Sequence, residues 1–239
     1  MSVRRVRRAF AAAVMVIAVF ALTAASCAAP PPEFYDVPTG STGGPGTIVK
    51  TAPSSFGGSD NYTATAVQYR STDATGRPDN VTGTVIVPKA PWTGGGARPI
   101  VSYAVGTQGL GDACAPSKAI PGGTLYEQGS IQALLDRGWA VAVTDYQGLG
   151  TAGDHTYIVA AAEGRAVLDI VRAAIRLPGS GLSTSAPVGI SGYSQGGQAA
   201  AKAAEIEGSY APELNVRGVA AGGVPSDLAR LVPTLNGSV

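Results

Sequence analysis

The feature that most constrains this chain is the run Val188-Gly189-Ile190-Ser191-Gly192-Tyr193-Ser194-Gln195-Gly196-Gly197. Ala186–Gly192 reads as an apolar β-strand and Gly196–Ile206 as a helix, which puts Ser194 in the turn between them. So abrupt a strand-to-helix turn forces its central residue into a strained conformation, and only small neighbours leave room for it. The helix that follows points its first amide hydrogens back at the turn. This suits nucleophilic catalysis, with Ser194 Oγ attacking a carbonyl and the backbone N–H of Gln195 receiving the oxyanion. The plainer alternative is a serine in an ordinary glycine-rich turn, since five-residue matches of this kind arise by chance.

The surrounding pattern supplies the sheet that such a turn needs. Thr63–Arg70 and Val81–Val87 read as β-rich stretches joined by a turn at Gly76-Arg77-Pro78-Asp79-Asn80. Pro99–Val105, Trp139–Thr144 and Val216–Ala221 read as short strands. Ser130–Arg137 reads as a helix that Gly138 ends. Ala161–Leu177 is the strongest helix, with Val167, Ile170, Val171, Ala174 and Ile175 at helical spacing and Pro178 as its stop. Short apolar strands alternating with helices predict an α/β fold, a mostly parallel sheet with helices on both faces. Hydrophobic residues at 45% against 14% charged exclude disorder by charge for the bulk of the chain.

The N-terminal region carries export signals. Arg4, Arg5, Arg7 and Arg8 precede an apolar run from Ala9 to Ala25, which as a helix spans roughly 25 Å, short of a bilayer's hydrocarbon thickness. Residues 1–27 therefore read as a signal peptide. Leu22-Thr23-Ala24-Ala25-Ser26-Cys27 resembles a lipobox with Cys27 as the lipidated residue, although Ala24 stands where such boxes usually carry Leu. Plain cleavage, a retained helix and a twin-arginine signal at Arg7-Arg8 stay open. Residues 28–47, rich in Pro, Gly and Ser, read as a linker between the anchor and a domain over 48–239. The expected location is secreted or cell-surface, with membrane anchoring through Cys27. A formal net charge of +1, with much of the positive charge at the N-terminus, argues against a nucleic-acid partner. Clusters of His and Cys at ligand spacing are absent from the sequence, so no metal or other cofactor is expected.

Three segments together resemble the secretory lipase family, of the lipase-A type. They are Ser102-Tyr103 through Cys114-Ala115-Pro116-Ser117, Asp145-Tyr146-Gln147-Gly148-Leu149-Gly150, and Gly192-Tyr193-Ser194-Gln195-Gly196-Gly197. Tyr210-Ala211-Pro212-Glu213-Leu214-Asn215 followed by Gly222-Gly223 fits as well, so the likeness runs from about residue 48 to the end. It implies an α/β-hydrolase fold, present here to about the sixth strand, and cleavage of acyl esters such as triacylglycerols through a serine acyl-enzyme. By position Ser194 is the nucleophile and Gln195 the first oxyanion donor. The loop after the third strand supplies the second contribution, and there Gln108 stands where family members can carry an acid; its amide can donate directly. The resemblance also places the family's lid, its catalytic acid and histidine, and the cysteine that partners the Cys114 position beyond Val239. A Cys27–Cys114 disulfide is the other reading of the two cysteines.

His155 is the sole histidine and precedes Ser194, whereas triads in this fold run serine, acid, histidine. A structural or pocket-lining role is expected for it, bonded through Asp145 or Asp154. Asp227 follows the Val216–Ala221 strand and is a candidate acid that still lacks a base. Without a base this polypeptide is expected to be close to inactive. Two other readings stay open: a peptidase or non-lipid esterase on the same fold, and a non-catalytic lipoprotein that binds acyl chains with a decayed hydrolase domain.

Overall fold

A computed structural model describes residues 29–236. The strands are β1 (Ile48–Phe56), β2 (Ser59–Thr72), β3 (Pro78–Pro88), β4 (Ile100–Ala104), β5 (Ala140–Thr144), β6 (Val188–Tyr193) and β7 (Val216–Gly222). They form one seven-stranded sheet in the order β1-β2-β3-β5-β4-β6-β7. The sheet has two halves. β1, β2, β3 and β5 pair antiparallel in succession; β5, β4, β6 and β7 pair parallel. The parallel half is the one predicted, and it carries Ser194.

The helices are α1 (Pro116–Ala119), α2 (Gln128–Leu135), α3 (Ala160–Arg176), α4 (Gln195–Tyr210) and α5 (Leu228–Leu235). Adjacent residues of β4 show how they layer, because successive side chains on a strand face opposite ways. Ser102 Oγ donates to Val167 O on α3, while Tyr103 OH donates to Glu127 beside α2. Helices therefore cover both faces, which is why every residue of β4 and β5 is buried. α3 presents Ala166, Val167, Ile170, Val171 and Ala174 to the sheet, all fully buried. Burying each larger aliphatic side chain contributes about 1.5–3 kcal/mol. That stripe decides where α3 sits.

Three expectations need adjustment. The expected linker is not a free spacer along its described part: within residues 29–47, Phe34 and Tyr35 are 3% and 7% exposed and pack with Ala52 of β1 and Ala66 of β2. Lys50 Nζ donates to the Glu33 and Asp36 carbonyls, Gln68 Nε2 to the Phe34 carbonyl, and Tyr35 OH bonds Ser117 Oγ. Proline and glycine content suggested a linker, but two adjacent aromatics outweigh it, since burying them stabilises the segment on the sheet. Secondly, β1 was not anticipated; its burial pattern has no clean alternation. It makes β7 the seventh strand rather than the sixth. Thirdly, α4 begins one residue earlier than predicted, at Gln195, directly after Ser194. The signal segment and Cys27 lie outside the described residues. Cys114 is half-buried and forms no disulfide among the described residues. Among the described residues no helix is long and apolar enough to cross a membrane.

Candidate active site

Ser194 joins the end of β6 to the start of α4 with φ 59° and ψ −121°. Few non-glycine residues hold a positive φ, and such a conformation costs about 1–3 kcal/mol unless its surroundings enforce it. Here they do. Ser194 N donates to Gly222 O on β7, and Gln198 N donates to Ser194 O, each at 3.0 Å. A methyl group on Gly192 would collide with the Gly196 carbonyl, one on Gly196 with the Ala104 carbonyl, and one on Gly197 with the Gly222 carbonyl. The three glycines let β4, β6, β7 and α4 converge on the serine. Ser194 is left half-buried at the carboxyl end of the parallel strands, where ligands bind in open α/β sheets. Its hydroxyl has no hydrogen-bond partner among the described residues.

Gln195 opens α4, so its backbone N–H belongs to the first turn, where amides lack intrahelical acceptors. Its side chain is buried beneath the elbow. Nε2 donates to Glu163 Oε1 at 2.7 Å and lies 3.0 Å from His155 Nε2. Because the amide brings hydrogens, His155 Nε2 must accept, and the ring hydrogen then sits on Nδ1, facing the Gln147 carbonyl at 2.9 Å. The imidazole stacks on Tyr146 with centroids 6.2 Å apart. Both ring nitrogens are thus committed away from Ser194. His155 takes the structural role expected, but through Gln147 and Gln195 rather than Asp145 or Asp154.

Asp145 is fully buried elsewhere, accepting from Thr82 Oγ1 and from both the N–H and Oγ of Ser117 at the start of α1. Burial pushes its carboxyl up to about 6. Asp227 accepts from Arg230 N and caps α5. Gln108 lies in the loop after β4, as predicted. That loop abuts the elbow, since the Ala104 and Val105 carbonyls crowd Gly196. The Gln108 amide, however, is turned to the Gly106 carbonyl at 3.2 Å and toward Glu127 Oε2 at 3.5 Å.

Two carboxylates were missed by sequence reasoning. Glu127 is buried, accepts from Gly106 N at 2.9 Å and from Tyr103 OH, and so pins the loop that carries Gln108. Burial raises its carboxyl above the usual range. Glu163 is completely buried on α3, accepts from Ile158 N as well as Gln195, and is pushed up to about 7 by desolvation. Its second oxygen, Oε2, has no partner among the described residues. A signal for it existed: Glu163 falls on the same helical stripe as Val167, Ile170 and Ala174, where an acid is out of place. Glu127 lies outside any periodic segment and left no such mark.

The sequence pattern that defines secretory lipases matches residues 115–239. This chain belongs to the secretory lipase family. It is 38% identical over 184 residues to a Mycobacterium tuberculosis protein named probable inactive lipase, covering 74% of this chain and 40% of that protein. It is 35% identical to lipase A of Arthroderma benhamiae, over 71% of this chain and 37% of that one. To secreted triacylglycerol lipase LIP5 of Malassezia furfur it is 33% identical, over 68% and 42%. Among solved structures, Candida antarctica lipase A in its closed state superposes with a TM-score of 0.74 at 29% identity, covering 88% of this chain and 50% of that one. The fold of this secretory lipase chain is therefore the α/β-hydrolase fold the resemblance implied. The chain spans about two fifths of the length of these curated relatives.

Proposed function

We propose that this chain carries the nucleophile of a secreted carboxylic-ester hydrolase of the lipase type. The observation that carries the reading is the backbone of Ser194, a serine at φ 59° held between three glycines that admit no side chain. A fold does not retain that strain for packing, because glycine would occupy the site without it. In the proposed reaction Ser194 Oγ attacks the ester carbonyl carbon while its proton passes to a base. The carbonyl oxygen takes the negative charge against the Gln195 N–H, with the Gln108 loop on its other side. Collapse expels the alcohol and leaves an acyl-serine, which water then hydrolyses. Membership in the secretory lipase family and relatives named as secreted triacylglycerol lipases support lipid esters as the substrate class and export as the destination. The Arg4–Arg8 segment, the apolar run after it and lipidation at Cys27 complete the same reading, with residues 48–239 as the hydrolase domain.

A fluorophosphonate probe tests it directly. Labelling that maps to the peptide containing Ser194 and vanishes in Ser194→Ala supports the assignment; labelling that maps elsewhere, or that survives in Ser194→Ala, removes it. A second reading, a non-catalytic acyl-chain binder, has its own support. Among the described residues no base stands beside the hydroxyl, and one relative is named probable inactive lipase. Fatty-acid binding unaffected by Ser194→Ala, in a chain that resists the probe, would select it.

A further inference from the structure

At the amino ends of β4, β5 and β6, opposite Ser194, a cavity of about 610 Å³ lies on the face of the sheet that α3 covers. Side chains on β2 and β3 alternate between faces, so Thr65 and its partner Val85 point the same way as Gly83, which meets Ile170 of α3. α3 stops at Arg176, and beyond it Val85 and Val87 floor the cavity, with Leu177 and Trp92 at its sides. A second cavity of about 570 Å³, against β1, shares Thr65, Leu177 and Pro178 with the first. The two form one trough across β3, β2 and β1, a span of about 10 Å at ordinary strand spacing. Each has the size of a small-molecule site.

The charge on this trough is one-sided. No aspartate or glutamate lines either cavity, whereas four cations do. Three of them donate to backbone carbonyls: Lys50 to Glu33 and Asp36, Arg176 to Pro45, and Arg98 to Pro88 and Ala90. Lys89 alone has no side-chain hydrogen bond, ion pair or ring contact among the described residues. Asp60 lines a separate, smaller cavity that Lys89 also borders, and no ion pair joins the two. Arg98 spends one hydrogen on each carbonyl and keeps the rest of its five. Partial burial draws its guanidinium down from the ordinary arginine range, with no carboxylate to offset the lost water. A cation in that position is complementary to an incoming anion.

We propose that the trough is a binding site for a free fatty acid, its carboxylate on Lys89 and Arg98 and its chain along Val85, Val87 and Leu177 toward the second cavity. The apolar floor calls for an alkyl body, and the cations at one end call for an anionic head. A guanidinium fork with one uncommitted ammonium suits a single negative charge better than the nearly doubled charge of a phosphate monoester. Cavities of this size take one chain rather than a whole two-chain lipid. The negative end of α3 does not oppose the ligand, because the Ala174 carbonyl accepts from Leu177 N and Ser180 Oγ and only the alkyl chain passes there. The site stands without the hydrolase reading, although ester cleavage by a lipase would release the same class of acid.

The test titrates the chain with decanoate and, as an uncharged control that no hydrolase can cleave, with decanol. Calorimetry gives the affinities, and NMR of valine and leucine methyl groups and of the Trp92 indole gives the place. Decanoate is expected to shift the Val85, Val87, Leu177 and Trp92 signals and to bind about tenfold tighter than decanol. Lys89→Gln is expected to remove most of that preference and to leave decanol binding unchanged; its side chain holds nothing in the fold, so the variant stays folded. Equal affinity for acid and alcohol, shifts confined to residues around Ser194, or an undiminished preference in Lys89→Gln overturns the proposal. Ser194→Ala keeps the binding, so absent fluorophosphonate labelling with decanoate still bound in the trough counts against the nucleophile and not against this site.

Discussion

Gly196 of α4 lies against the carbonyl of Ala104 at the end of β4, so close that a methyl group on its α-carbon would overlap that oxygen and press on the Val105 carbonyl as well. The obstruction is backbone on both counts, so no rotamer change relieves it. Gly196→Ala is expected to lower unfolding stability by about 3 kcal/mol or more. Gly208, exposed near the end of the same helix with nothing within 4 Å of a built methyl, is the control. Gly208→Ala is expected to raise stability by about 0.5–1 kcal/mol through helix propensity alone. Urea midpoints of the two variants against wild type measure both. Equal effects would mean that the close approach of Ala104 and Gly196 does not hold in solution.

These glycines also show what was legible beforehand. The elbow was readable because its constraint is local: a strand, a glycine, a serine, a glycine and a helix are consecutive, and the steric rule linking them acts within five residues. The parallel strands were readable as continuous apolar runs, and α3 as a period. Gln195 and Gln108 were placed in the right segments by resemblance. What stayed hidden depends on contacts distant in sequence. The Phe34–Tyr35 strap is recognisable only once Ala52 and Ala66 present a surface for it. The Glu163–Gln195 bond joins positions 32 apart, and the direction in which the Gln108 amide turns is set by Glu127, 19 residues away. Propensity and period carry no information about such pairings.

Buried carboxyls give the chain a characteristic pH dependence. Glu163 is pushed up to about 7 and Asp145 to about 6, both by burial, whereas in the unfolded chain each titrates near its ordinary value around 4. Between those limits the folded state binds more protons than the unfolded state, so stability falls as pH rises. The chain is therefore expected to be more stable near pH 5 than near pH 8, with Glu163 alone contributing on the order of 3 kcal/mol to the difference. Glu163→Gln removes its share: the variant gains stability relative to wild type at the alkaline end and loses that advantage at the acid end. Urea midpoints at both pH values check it. A variant equally displaced at both would show that Glu163 is not what titrates.

The strap over β1 and β2 makes a prediction about the segment expected to be a spacer. Phe34 packs edge-on against Tyr35 with centroids 5.0 Å apart, and Tyr35 OH reaches Ser117, which in turn bonds buried Asp145. Phe34→Ala is expected to cost about 3 kcal/mol, the cavity left by a buried aromatic. Limited proteolysis gives an independent reading, because a docked segment resists cleavage between residues 32 and 47 and an undocked one does not. Wild-type stability in Phe34→Ala, with rapid cleavage there in both proteins, would restore the spacer.

The last prediction separates an assembled site from a working one. Three parts of the proposed hydrolase are present in this polypeptide: the strained serine, the first amide of α4, and the loop after β4. Among the described residues no base stands beside the serine, since His155 is occupied by Gln147 and Gln195. In serine hydrolases, removal of the base lowers turnover by a factor on the order of 10⁶, and the oxyanion donors and binding retain only a residue of the acceleration. The polypeptide of residues 1–239 is accordingly expected to cleave a short p-nitrophenyl ester slowly, at a rate that Ser194→Ala lowers little further. Substituting His155 is expected to alter that residual rate only through Gln195, not to abolish it. Turnover at a normal lipase rate, lost in both Ser194→Ala and His155→Ala, would mean that the imidazole leaves Gln195 and reaches the serine, and the hydrogen-bonding scheme drawn beneath the elbow would have to be abandoned.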